Sequence, residues 1–242
     1  MIRWHVGCSG FHYKHWKEIF YPVGLPQKKW FDYYCENFNT LELNVTFYRF
    51  PELSFVNNWY KKSPETFLFA VKAPRLITHY KKFNETNDLV NEFYQVISQG
   101  LKNKLGCVLF QLPPSFNYSE ERLQKIISNM NLSFTNVLEF RHKSWWNPIV
   151  LSELKRNNIT FCGMSHPLLP GTIVQNTQVL YHRMHGVPLL YKSLYGKDEL
   201  VRIISEITTS GNTKEAFIYF NNDIDGSAII NAKQMIELTK EK

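Results

Sequence analysis

The 242-residue chain has few cysteines, no long apolar run and no low-complexity stretch. Its apolar runs are short, as in Val108–Leu109–Phe110 and Ala216–Phe217–Ile218. A membrane helix needs ~20 consecutive apolar residues, so none is expected. The opening Met1-Ile2-Arg3-Trp4-His5-Val6 runs straight into a strand pattern, without the basic, apolar and small-residue regions of a secretory signal. The expectation is a soluble, cytoplasmic protein. The four cysteines, Cys8, Cys35, Cys107 and Cys162, lie far apart with no Cys-x-x-Cys, which argues against a disulfide framework and a zinc knuckle. Three fall in apolar strand-like segments, where a reduced thiol behaves as a small hydrophobe. No Gly-x-Gly-x-x-Gly follows the first strand, which removes the commonest dinucleotide-binding fold. His79, His142, His166, His182 and His185 are scattered without metal-ligand spacing, and their cation-rich surroundings disfavour a divalent ion. Neither metal nor cofactor is expected. Cys8 and Ser9 close the first strand without the signature of a nucleophilic triad.

Hydrophobic residues make up 44% of the chain, charged ones 20% and aromatic ones 15%, a composition able to bury a large core. The net charge of +7 favours an anionic partner: nucleic acid, a phosphorylated metabolite or a carboxylate. A lysine surplus serving only solubility produces the same number. No linker divides the chain, so one domain over 1–242 is expected. Strand signals at 2–7, 40–44, 67–72, 106–111, 136–140, 160–164, 179–185 and 216–221 alternate with helical periodicity at 27–37, 53–62, 88–101, 120–130, 149–157, 197–209 and 229–240. Eight strands alternating with helices and ending on a helix predict an α/β fold, a single (β/α)8 TIM-type barrel.

Barrel enzymes carry their sites at the C-terminal strand ends. Polar residues close these apolar strands repeatedly: Glu42 and Asn44, Lys72 with Arg75 and His79 beyond, Gln111, Glu139 and Arg141, Arg183 and His185, and Asn221-Asn222-Asp223. Alternation along a strand predicts that Glu42 and Asn44 share a face, as do Glu139 and Arg141, and Arg183 and His185. Phe47-Tyr48 and Trp145-Trp146, with Tyr13 and Trp16, stand in loops after strands, where aromatic rings stack on a sugar or base or simply cap the barrel. The expected catalytic set is Glu42, Glu139, Lys72 and His185. The expected binding set is Asn44, Tyr48, Arg75, His79, Gln111, Arg141, His142, Trp145, Arg183, Asn221, Asn222 and Asp223. A buried ion-pair network that only stabilises the barrel is the competing account of the same residues.

The chain resembles the YecE-like proteins, the family grouped as domain of unknown function 72. The resemblance is carried by Gly7-Cys8-Ser9-Gly10-Phe11-His12-Tyr13, Trp16, Phe20-Tyr21-Pro22, 41–48 (Leu-Glu-Leu-Asn-Val-Thr-Phe-Tyr), 69–75 (Phe-Ala-Val-Lys-Ala-Pro-Arg) and 106–114 (Gly-Cys-Val-Leu-Phe-Gln-Leu-Pro-Pro). Glu139-Phe140-Arg141-His142, Arg183-Met184-His185-Gly186 and Tyr219-Phe220-Asn221-Asn222-Asp223, with Gly226, Ala228, Asn231 and Ala232, complete it. Cys8 and Phe11-His12 depart from the Thr and Trp-Ser more usual there. The resemblance implies a (β/α)8 barrel and brings no activity with it.

The functional expectation is a metal-independent enzyme, a hydrolase, lyase or isomerase, acting on a small anionic phosphorylated or carbohydrate-like substrate. A glutamate serves as general acid or base and the cations hold the anion. The alternatives are a nucleic-acid-binding or endonuclease IV-like repair phosphodiesterase, and a non-catalytic anion-binding module. No membrane partner is expected, and the sequence leaves the oligomeric state open.

Overall fold

A computed structural model describes residues 1–209 and 211–240. Eight parallel strands, β1 (Arg3–Cys8), β2 (Thr40–Leu43), β3 (Leu68–Lys72), β4 (Leu105–Leu112), β5 (Asn136–Phe140), β6 (Thr160–Ser165), β7 (Val179–Met184) and β8 (Glu215–Phe220), lie in the order β1-β8-β7-β6-β5-β4-β3-β2. With their helices they make a (β/α)8 barrel. The helices are α1 (Trp30–Asn37), α2 (Val45–Tyr48), α3 (Leu53–Lys62), α4 (Asn87–Leu101), α5 (Glu120–Ser128), α6 (Pro148–Arg156), α7 (Lys197–Thr209) and α8 (Ser227–Lys240). Every residue of β2, β5 and β6 is buried, as expected of parallel strands covered on both faces.

The helices form where sequence pattern and caps agree. In α4, Val90, Phe93, Tyr94, Ile97 and Leu101 recur at helical spacing and form its buried stripe. Ser119 accepts from the Arg122 amide at 3.2 Å to start α5. Asn147 does the same for Val150 at 3.1 Å, with Pro148 at the first position of α6. Among the described residues no helix is long and apolar enough to cross a membrane. All four cysteines are free thiols; Cys8, Cys107 and Cys162 are buried.

The chain forms two compact units, one of Met1–Glu42 with Gly163–Lys242, the other of Leu43–Cys162. In the first, β8 aligns Gly7 with Tyr219 and Arg183 with Tyr219, and an isolated parallel bridge joins Ser9 to Glu42. Gly7 has no tolerable substitute: a Cβ there would stand 2.4 Å from the Thr40 carbonyl oxygen. In the second, Lys72 aligns with Leu109, Leu109 with Val137, and Gln111 with Glu139. Residues of matching register share a face, so Lys72, Gln111 and Glu139 point the same way.

Several strand ends lie a residue from the expected ones, β7 stopping at Met184 and β8 at Phe220, and the correction that matters is at β2. β2 ends at Leu43, and Asn44 takes a helical backbone (φ −98°, ψ −13°) as the N-cap of α2. Alternation therefore does not place Asn44 beside Glu42. Four residues, 45–48, are too few to show helical periodicity in a sequence, and α2 was not expected.

Candidate functional site

In the unit of residues 1–42 and 163–242, polar groups gather at the ends of β1, β2, β7 and β8. Glu42 is completely buried. Arg183 grips it with both arms, Nη2 to Oε1 at 2.6 Å and Nε to Oε2 at 2.9 Å. Tyr181 donates to Oε2 at 2.6 Å, and Ser9 donates to Oε1 while accepting from Arg183 at 2.9 Å. Burial alone would push this carboxyl's pKa up, but the Arg183 charge and the bonds from Arg183, Ser9 and Tyr181 prevail and hold it below the usual carboxylate range. His185, also fully buried, lies between Arg183 (3.4 Å) and Asn221 (3.0 Å). Asn222 is buried too; its amide nitrogen donates to the Ser193 carbonyl at 2.9 Å and to Asn231 at 3.0 Å, which fastens α8 to the preceding loop.

Asp223 lies apart from this buried chain. One oxygen accepts from the Trp16 indole at 2.8 Å, and the other meets His15 Nε2 at 3.0 Å. Burial raises its pKa to about 6, against the opposing pull of Trp16 and His15. His15 did not figure among the expected residues. Its place in the β1 loop next to Trp16 was the available signal.

In the unit of residues 43–162, Lys72, Arg75, His79, Glu139 and Arg141 gather around the ends of β3 and β5. Thr46 donates to the Lys72 carbonyl at 2.6 Å, tying α2 to β3 and setting Phe47 under the lysine, whose Nζ lies 4.1 Å from the ring centroid. His79 packs edge-on against the same ring at 4.9 Å and pairs through Nδ1 with the Thr78 hydroxyl at 2.9 Å. Its pKa falls to about 4, first through burial, then through Lys72, against Glu139, and further through Arg141 and Arg75. Three cations and one carboxylate thus act on this ring. Glu139 is fully buried and pairs with Arg141 through the guanidinium Nε. Gln111 is half-buried at the level of Glu139.

The backbone here departs from regular structure. Leu76–Tyr80 forms a single π-helical turn, and Lys82, Phe83 and Glu85 all take positive φ (49°, 64° and 49°). Non-glycine residues in this region are costly, and such turns concentrate at functional sites. Phe83 is buried and its amide donates to the Ile77 carbonyl at 3.1 Å, which anchors the distortion.

Two residues of the expected binding set have structural partners of their own. Trp145 is fully buried, stacks on Phe140 at 4.1 Å, and donates its indole N–H to the Phe116 carbonyl at 2.6 Å. His142 caps the 3-10 turn Lys143–Trp145, with Nδ1 2.7 Å from the Ser144 hydroxyl. A tryptophan after a strand reads alike in sequence whether it packs or stacks; only burial separates the two.

The family described as "Protein of unknown function DUF72" matches residues 5–242. The chain belongs to the DUF72 family. It is similar to the UPF0759 protein YunF of Bacillus subtilis (strain 168), 28% identical over an alignment that spans 90% of this chain and 89% of that one. A DUF72 family protein of Thermotoga maritima MSB8 has a similar structure, with a TM-score of 0.87 and 29% identity over 98% of this chain and 99% of that one. Another, of Enterococcus faecalis V583, shares the fold at a TM-score of 0.82 and 20% identity, over 99% of this chain and 96% of that one.

Proposed function

We propose that the DUF72 chain binds a small anion at the ends of β3 and β5 and acts on it by general acid/base chemistry. The carrying observation is the gathering of Lys72, Arg75 and Arg141 near His79, with Lys72 and His79 packed on the same Phe47 ring. A phosphorylated or carboxylate-bearing substrate supplies the charge that this arrangement lacks. Lys72 contributes a point charge, and Arg75 and Arg141 a planar fork of donors suited to phosphate. Glu139 holds Arg141 in position from beneath.

His79 is the accessible proton carrier in this reading. It is neutral at physiological pH, first through burial and then through Lys72, and a bound anion offsets the second of these. Substrate binding thus makes the imidazole more basic and prepares it to accept a proton. In the other unit, Glu42 and His185 are fully buried and take no part in this reading.

The test is an NMR titration of the His79 imidazole with and without inorganic phosphate. Phosphate is expected to raise the His79 pKa by about one unit or more and to stabilise the fold, with both effects lost in Lys72→Met. Phosphate that leaves His79 unmoved, or stabilises Lys72→Met equally, overturns the proposal.

A further inference from the structure

Tyr48 and Tyr80 are among the most exposed aromatic residues of the chain, at 68% and 64%. Both stand beside one guanidinium, that of Arg75, whose carbon lies 5.7 Å from the Tyr48 centroid and 5.4 Å from that of Tyr80. The π-helical turn explains how Arg75 and Tyr80 meet. On an α-helix, residues five apart point about 140° away from one another. The wider turn, closed by the Lys81 amide on the Leu76 carbonyl at 2.9 Å, brings positions 75 and 80 back to one side. Tyr48 reaches the same arginine from the end of α2, next to Phe47, the ring beneath Lys72.

An arginine packed near two aromatic rings is restrained, and its N–H groups remain suited to a phosphate. Both rings are exposed, so a group attached to that phosphate would meet them. We propose that the ligand of this site is a phosphate monoester carrying a flat ring, its phosphate held by Lys72 and Arg75 and its ring laid on Tyr48 and Tyr80. This rests on the anion-binding reading above and adds the organic half of the ligand. Tyr48 and Tyr80 belong to recognition and contact no reacting atom.

Calorimetric titration of the whole chain with inorganic phosphate, methyl phosphate and phenyl phosphate at constant ionic strength separates the two ideas. Phenyl phosphate is expected to bind at least about fivefold tighter than methyl phosphate, the lower end of what stacking on an aromatic side chain supplies. Tyr48→Ala with Tyr80→Ala should erase that ratio, whatever it does to phosphate affinity itself, while Tyr48→Phe keeps the ratio. Both positions are exposed, so the variants should fold, and an unchanged thermal unfolding midpoint verifies it. Equal binding of methyl and phenyl phosphate, or a ratio that survives the double substitution, overturns the ring proposal alone. No binding of any of the three overturns both.

Discussion

Arg183 and Glu42 pair with hardly any water to share their charges, and that sets what each can do. A buried carboxylate with a two-armed arginine, a serine and a tyrosine on it has no lone pair left for chemistry. Taking the charge from one partner leaves the other buried and uncompensated. Glu42→Gln is therefore expected to cost about 3–5 kcal/mol in denaturant unfolding at neutral pH. Because the folded pKa of Glu42 lies below its ordinary 4.5, the contribution is fully present above that value and is lost as pH falls through the lowered one. The gap between parent and variant should thus be constant from about pH 6 to 8 and close in acid. A Glu42→Gln protein as stable as its parent at neutral pH would show that the pair is replaceable. Sequence alternation correctly put Arg183 and His185 at one strand end. It had no means of ranking Glu42, sealed at 0% exposure, against the half-buried His79, because alternation gives the face of a residue and not its depth.

At the scale of elements, the short irregular pieces carry most of what was not legible. The long periodic segments were placed almost to the residue: α3 and α7 begin and end where the pattern said, as does β5. The four-residue α2 and the π turn 76–80 have too few residues for a period, yet they position Phe47, Tyr48, His79 and Tyr80. The 3-10 turn Lys14–Trp16 belongs to the same class. It brings His15 and Trp16 onto Asp223, in the loop that follows β8. Here the sign is opposite to that at Glu42. The folded pKa of Asp223 is raised to about 6 from 3.8, so the unfolded chain ionises first as pH rises. The resulting penalty grows between these two values and is complete above the higher one. Asp223→Asn keeps an acceptor for the Trp16 indole and removes the titration. Its stability relative to the parent should climb by about 2–3 kcal/mol between about pH 3.5 and pH 7. A flat difference across that range would mean that solvent reaches the carboxylate freely in the folded protein.

Across the whole molecule, the excess of 28 Lys and Arg over 21 Asp and Glu has two physical readings that differ in salt dependence. Charges spread over a surface attract any polyanion, and salt screens them over a Debye length of about 8 Å at physiological strength. A protein that tracks a duplex instead releases counterions, and its affinity falls with a log–log slope near −0.9 for each neutralised phosphate. Two of the three cations of the proposed site are unlike either case; Arg75 is exposed. Lys72 and the Arg141 side chain are each only 8% exposed, so salt reaches them poorly. Duplex DNA should accordingly bind weakly and be lost by about 0.15 M salt, while stabilisation by inorganic phosphate persists at the same ionic strength. Fluorescence anisotropy with labelled duplex and thermal unfolding with phosphate, both run from low to physiological salt, compare the two directly. Sub-micromolar duplex binding at physiological salt, abolished by Lys72→Ala or Arg75→Ala, would instead assign these residues to a nucleic-acid surface. The pairing of buried lysine with exposed tyrosines argues against that outcome, since a duplex offers its phosphates at the surface and keeps its base faces stacked inside.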